Sequence, residues 1–190
     1  EGETPSEDAF VLTSAGAPMI VPVSIGGTKL LMTIDSGSVC TVLDARLIKL
    51  LGTEIQKPES APAKAVGDGI RYYKTGPIKL GAISFKPEFV ATVNLSERGI
   101  AAAQPILGVM GAEFCASVVI GMDTDACRLR ICKEVPKEVS DRSHRIDVNL
   151  KYGFMPFVEG SIDDLSVAFI IDTGAALTAR SPKRPFYFSV

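Results

Sequence analysis

The sequence predicts a mainly β fold with short helices, laid out as one full unit followed by the first strands of a second, similar one. Three observations lead there. Seventeen glycines and twelve prolines, without a tryptophan, favour many short strands and tight turns over a helix bundle. The apolar stretches are brief and are punctuated by Gly-Gly, Gly-Asp-Gly and Gly-Ala. One of them also recurs later in the chain, which marks an internal repeat.

Residues 1–18, EGETPSEDAFVLTSAGAP, read as a polar lead-in of low order. The chain opens on Glu1 rather than Met, so a processed or trimmed start is expected. Residues 19–133 form the first unit. MIVPVSIGGTKLLMTI reads as two strands joined at Gly26 and Gly27, a favoured hairpin dipeptide. A loop of small residues runs from Asp35 to Thr41. LDARLIKLLG then suits a short helix, with Leu43, Leu47, Ile48 and Leu51 on one face and a stop at Gly52. A Pro-rich, irregular stretch follows. VGDGIRYY, GPIKLG and ISFKPEFVATV resume the strand pattern, PILGVMGAEFCAS adds a strand end and a brief helix, and VVIGMDTDACRLRIC closes the unit as a hairpin. Residues 134–150, built on the charged run KEVPKEVSDRSHRID, lack apolar periodicity and are the expected linker.

From residue 151 the pattern starts over. Placing Ile162 under Ile25 aligns the stretches without a gap: Ser24 with Ser161, Asp35 with Asp172, Gly37 with Gly174, Thr41 with Thr178. The aliphatic LLMTI falls on VAFII. Each copy therefore ends an apolar strand in Asp-Ser-Gly or Asp-Thr-Gly. A carboxylate at the end of a greasy strand is costly to bury in its charged form, and so calls for a role. The glycine permits a tight turn and close backbone approach. The Ser36 and Thr173 hydroxyls are placed to hydrogen-bond across to the opposite loop. Two such loops about a pseudo-twofold axis bring two carboxylates together; they then share one proton and split their apparent pKa values. The ionised member can act as general base on a water while the protonated one polarises a scissile carbonyl. No metal, cofactor or covalent nucleophile is required.

IDSGSVCTVL and IIDTGAALT resemble the active-site loops of the retropepsin-like aspartic proteases, and more narrowly of bacterial aspartyl proteases that carry two units in tandem. Ile106-Leu107-Gly108 resembles the family's hydrophobic-hydrophobic-Gly element, which threads behind the aspartate loop. Residues 109–132 resemble its helix and final hairpin. Val66, Gly67, Asp68 and Gly69 fall where the family has a flap that closes over substrate. The resemblance implies a retropepsin-like acid-protease barrel and an aspartic endopeptidase acting on polypeptide. Asp35 and Asp172 would be its catalytic pair, and Ser36, Gly37, Thr173 and Gly174 its supporting loop residues. A periplasmic or secreted setting is implied too. The second unit, at residues 151–190, departs from the family: after Thr178 comes ARSPKRPFYFSV, with no second flap or Leu-Gly element. The chain is then expected to be a fragment of a longer two-unit protease. Alternatively, two first units pair as a homodimer and Asp35 meets its own copy.

Other chemistries fit less well. Twenty basic against twenty-two acidic residues give a net charge of −2, which offers no field for a nucleic-acid backbone. No apolar run reaches the roughly 18 residues of a membrane span. Cys40, Cys115, Cys127 and Cys132 lack metal-ligand spacing and read as buried thiols. His144 is the only histidine and lies in the charged linker, which disfavours Ser-His or Cys-His catalysis. Actin-like and sugar-kinase folds also place Asp-x-Gly-x-x-Thr after a strand, but need a much longer chain and a later glycine loop for adenosine. A catalytically silent relative that binds peptide or dimerises is the remaining alternative.

Overall fold

The computed structural model describes residues 8–11, 18–61, 69–95, 105–141, 144–151, 153–175, 179–181 and 184–188. Its elements begin with strands β1 (Asp8–Val11), β2 (Met19–Ile25), β3 (Thr28–Ile34) and β4 (Val42–Asp44), then a 3-10 helix (Ala45–Leu50). Strands β5 (Glu54–Ile55), β6 (Arg71–Tyr73), β7 (Ile78–Leu80), β8 (Ile83–Phe85), β9 (Val90–Val93) and β10 (Ile106–Met110) follow, and then helix α1 (Ala112–Cys115). The chain continues through β11 (Val119–Asp123), β12 (Arg128–Cys132), helix α2 (Lys137–Ser140), β13 (Asn149–Lys151), β14 (Met155–Ile162), β15 (Leu165–Ile171), β16 (Ala179–Ser181) and β17 (Arg184–Phe188). The fold is mainly β with short helices, as the sequence predicts.

Alternation builds the first core. In β2, Met19, Val21, Val23 and Ile25 are buried, and in β3, Leu30, Met32 and Ile34, each set on one face of its strand. Gly26 and Gly27 turn the chain between them at φ +56° and +86°, the left-handed pair that a two-residue hairpin needs. With Leu43, Met110, Phe114, Leu129 and Ile131 these residues form one cluster. Burying each of the larger ones contributes roughly 1.5–3 kcal/mol.

Several predicted stretches break up. LDARLIKLLG begins as strand β4 and only then turns into a 3-10 helix. Buried Asp44 caps it, accepting from Arg46 N at 2.9 Å and pairing with Arg46 Nε at 2.7 Å. Pro87, which cannot donate to a ladder, sits in the gap between β8 and β9, where a continuous strand is predicted. In the charged segment, α2 forms behind Pro136, a residue already fixed for entry into a helix. His144 is exposed there.

The sheets explain how the aspartate loops are presented. The nine-stranded sheet has the order β5-β6-β9-β4-β10-β3-β2-β7-β8. β10 lies between β3 and β4, parallel to the first and antiparallel to the second, so residues 35–41 arch over the end of an inserted strand. The five-stranded sheet, β13-β14-β15-β17-β16, repeats the wiring: β17 lies parallel to β15 and antiparallel to β16. A strand without a Leu-Gly element thus holds the position that β10 holds in the first half. Phe169, Ile170 and Ile171 pair with Phe186, Tyr187 and Phe188, much as Met32, Thr33 and Ile34 pair with Gly108, Val109 and Met110. The halves meet where Ala112 of α1 packs with Met155, Phe157 and Ile170, with Val39 against them. A third sheet has the order β1-β12-β11.

Candidate active site

β3 and β15 both end in aliphatic residues, and the next residue of each is an aspartate. Asp35 N donates to Met110 O at 3.0 Å, which ties the first loop to the inserted strand. Asp35 Oδ1 accepts from Gly37 N at 2.9 Å, and Asp172 Oδ1 accepts from Gly174 N at 3.0 Å. The local turn is the same in both loops.

The loops interlock. Ser36 N donates to Thr173 Oγ1 at 3.0 Å, and Thr173 N donates to Ser36 Oγ at 3.1 Å. Each hydroxyl also reaches past its partner into the strand behind it. Ser36 Oγ donates to Ile171 O at 2.6 Å, and Thr173 Oγ1 to Ile34 O at 3.4 Å. Serine and threonine suit this position because one hydroxyl can accept and donate at once. A net contribution of about 1 kcal/mol per bond makes the lattice worth several kcal/mol.

The glycines bring the acids together. A methyl group on Gly37 would land on the Asp172 carboxyl, and one on Gly174 would land on the Asp35 carboxyl. Each carboxyl therefore occupies space that only a glycine on the other loop leaves open. The side chain of Asp172 hydrogen-bonds that of Asp35. Burial, and then the charge of Asp172, push the Asp35 carboxyl up from 3.8 to about 6, against the lowering effect of the Gly37 N–H. Asp35 and Asp172 of one chain thus sit as a contacting pair in which Asp35 resists ionisation.

Of the flap positions, Val66, Gly67 and Asp68 lie outside the described residues, as does Thr178. Gly69 is an exposed turn residue at φ +80°. Tyr72 and Tyr73 are buried on β6, with Tyr73 Oη donating to Glu54 at 3.2 Å, so both serve packing. The four cysteines are thiols rather than disulfides; burial pushes Cys40 and Cys115 up to about 12, which removes them as nucleophiles. Among the described residues no group of His, Cys, Asp and Glu is arranged to hold a metal, and no described helix is long and apolar enough to cross a membrane.

Two supporting residues join the loop to the helix: Thr41, which the repeat already marks, and Glu113, which carries no readable signal in the sequence. Thr41 is fully buried, with its hydroxyl accepting from Gly111 N at 3.3 Å. Its own N–H donates to Glu113 Oε1 at 2.5 Å, so a glutamate far along the chain pins the end of the aspartate loop. Only the fold brings Glu113 to that loop.

Compared with protein-family models the sequence matches none, and a comparison with curated proteins likewise finds no match. Among solved structures the chain is similar to a retropepsin-like aspartic protease from Rickettsia conorii, at 10% identity and a TM-score of 0.46, covering 70% of this chain and 96% of that one. It is also similar to the retroviral protease-like domain of Ddi1 from Leishmania major, at 17% identity and a TM-score of 0.37, covering 63% of this chain and 95% of that one.

Proposed function

We propose that the chain is an aspartic endopeptidase whose dyad is Asp35 and Asp172 of the same polypeptide. The observation that carries this reading is the reciprocal lattice of the two loops, with each glycine making room for the opposite carboxyl. An Asp serving only as a turn residue needs no second acid. This pair instead sits at the junction of two halves, with the Asp35 proton held more firmly than an ordinary carboxyl holds one.

The mechanism follows from one proton on two acids. The ionised carboxylate accepts a proton from a water placed between the pair, and that water attacks the carbonyl carbon of a peptide bond. The protonated carboxyl donates a hydrogen bond to the carbonyl oxygen as negative charge develops on it. Proton transfer to the amide nitrogen then releases the two product chains. Ser36 and Thr173 hold the geometry while the charge moves between the acids, and the buried setting strengthens both hydrogen bonds.

A statine-type peptide, which mimics the tetrahedral intermediate, separates the candidate functions. The endopeptidase is expected to cleave a denatured protein at acid pH and to be titrated by the statine one to one. Binding of the statine without any cleavage between about pH 3 and 7 would identify a silent peptide-binding relative instead.

A further inference from the structure

Val39 and Cys40, just beyond Asp35 on the aspartate loop, line a cavity of about 280 Å³. Phe85, Pro87 and Phe89 line it from elsewhere in the first half, and Phe154, ahead of β14, lines it from the second. A methyl group on Gly153 would lie 4.0 Å from Val39 Cγ1, so the second half abuts the loop at this point. The cavity therefore spans the junction of halves that also holds the two acids. Its walls are apolar. The polar residues around them, Ser60, Lys86 and Glu88, are exposed and form a rim. Glu113 also borders the cavity, but its carboxyl is turned inward: Oε1 accepts the Thr41 N–H at 2.5 Å, and Oε2 is buried beside Gly111. Phe154 is 47% exposed, although Pro87 and Phe89 of the same cavity are buried. A large aromatic side chain left open over an apolar hollow gains by being covered.

Building on the endopeptidase reading, we infer that this cavity is a subsite for a large apolar side chain, phenylalanine above all, of the polypeptide held across the aspartate pair, and that Phe154 selects it. An apolar cavity of roughly 150 Å³ is enough to hold benzene, so about 280 Å³ admits a phenyl ring together with its stem. Aromatic neighbours favour a ring through offset or edge-on contacts beyond simple burial. Phe85 already rests edge-on against Phe114, with ring centroids 5.3 Å apart, and Phe89 against Tyr72 at 5.7 Å. Those two walls are thus held in place before a substrate arrives. A charged side chain would lose its hydration against them and find no buried counter-charge. The occupant is the substrate because the cavity begins on the loop that carries Asp35 and is completed only by the second half, as the acid pair is. An extended peptide advances about 3.3 Å per residue. Val39 and Cys40 follow Asp35 on the loop, so the residue in this subsite is set back from the bond that is cut.

The test is a set of decapeptides in which one phenylalanine is walked through the positions, each paired with an alanine control. For the wild type, kcat/KM is expected to favour phenylalanine at least tenfold at one position away from the cleaved bond. Phe154→Ala is expected to bring that ratio down to a few-fold or less, and Phe154→Leu to keep most of it, since leucine restores an apolar wall. Both variants change an exposed side chain, and unchanged melting temperatures would show that the fold is intact. The same peptide pairs are titrated by calorimetry against Asp35→Asn, with and without Phe154→Ala, which reads the subsite without turnover. If the wild type cleaves no peptide, the endopeptidase reading falls and the calorimetric ratios still decide the subsite. A phenylalanine-to-alanine ratio that Phe154→Ala leaves unchanged, or a series in which no position favours phenylalanine, would overturn the inference. So would a Phe154→Ala protein whose only change, by sedimentation, is from dimer to monomer, because a second copy would then be the occupant.

Discussion

Asp35 is held where an ion is unwelcome: half-buried, against another carboxyl, with only backbone N–H groups for compensation. Its pKa in the folded chain is raised from 3.8 to about 6, so the folded state binds this proton more tightly than the unfolded chain does. The contribution is fully present below 3.8 and is lost as pH rises to about 6. About 1.4 kcal/mol per pKa unit makes the loss roughly 3 kcal/mol. Asp35→Asn, which never ionises, is therefore expected to unfold at a higher temperature than the wild type at pH 7 and at a similar one at pH 3, by calorimetry. Hydrolysis is expected to move oppositely: absent in Asp35→Asn, and in the wild type falling as pH is raised through about 6, where the shared proton leaves. At this scale the acids were legible, because Asp-Ser-Gly after an aliphatic strand is a local pattern. Glu113 was not. Nothing adjacent to it in sequence announces that its carboxylate reaches Thr41.

The elements act through what they exclude. Gly108 sits where β10 passes between β3 and β4, and a methyl there would lie 2.7 Å from Met32 Cε, 2.8 Å from Leu43 Cδ2 and 3.0 Å from Val42 O. Two of these atoms are side-chain ends that can shift and one is backbone, so Gly108→Ala is expected to cost about 1–3 kcal/mol in a urea melt. Asp44→Ala is expected to cost about 2 kcal/mol by the same measurement, because it leaves the N–H groups of Arg46 and Leu95 without their acceptor. The Arg46 guanidinium holds the Asp44 carboxyl below the usual carboxylate range, so this stabilisation is present at neutral pH and is lost as pH falls through that lowered value. The β2–β3 hairpin was readable from two glycines and strict alternation. The breaks at Pro87 and Pro136 followed known proline chemistry, yet the residues around them carry competing strand and linker patterns. Helix α2 is only four residues long and its Val139 is exposed, so it has no apolar face for periodicity to reveal.

For the whole molecule, the central feature is that the inserted-strand wiring occurs twice and the two copies dock through Ala112, Met155, Phe157 and Ile170. The repeat of the Asp loop was visible in the sequence. The placement of β17 was not, because RPFYF shares no residue pattern with ILGVM and is defined only by its neighbours in the sheet. An intrachain pair has a consequence for mixing experiments. Asp35→Asn and Asp172→Asn proteins, combined at equal concentration, are expected to stay inactive by a peptide-cleavage assay, whereas a dyad shared between copies of Asp35 would leave Asp172→Asn active on its own. The most direct measurement is accordingly the turnover number of Asp172→Asn beside the wild type at about pH 5, with statine titration to count competent sites. A loss of about a thousandfold or more is the expected result. Turnover equal to that of the wild type would contradict a dyad built from Asp35 and Asp172 of one chain.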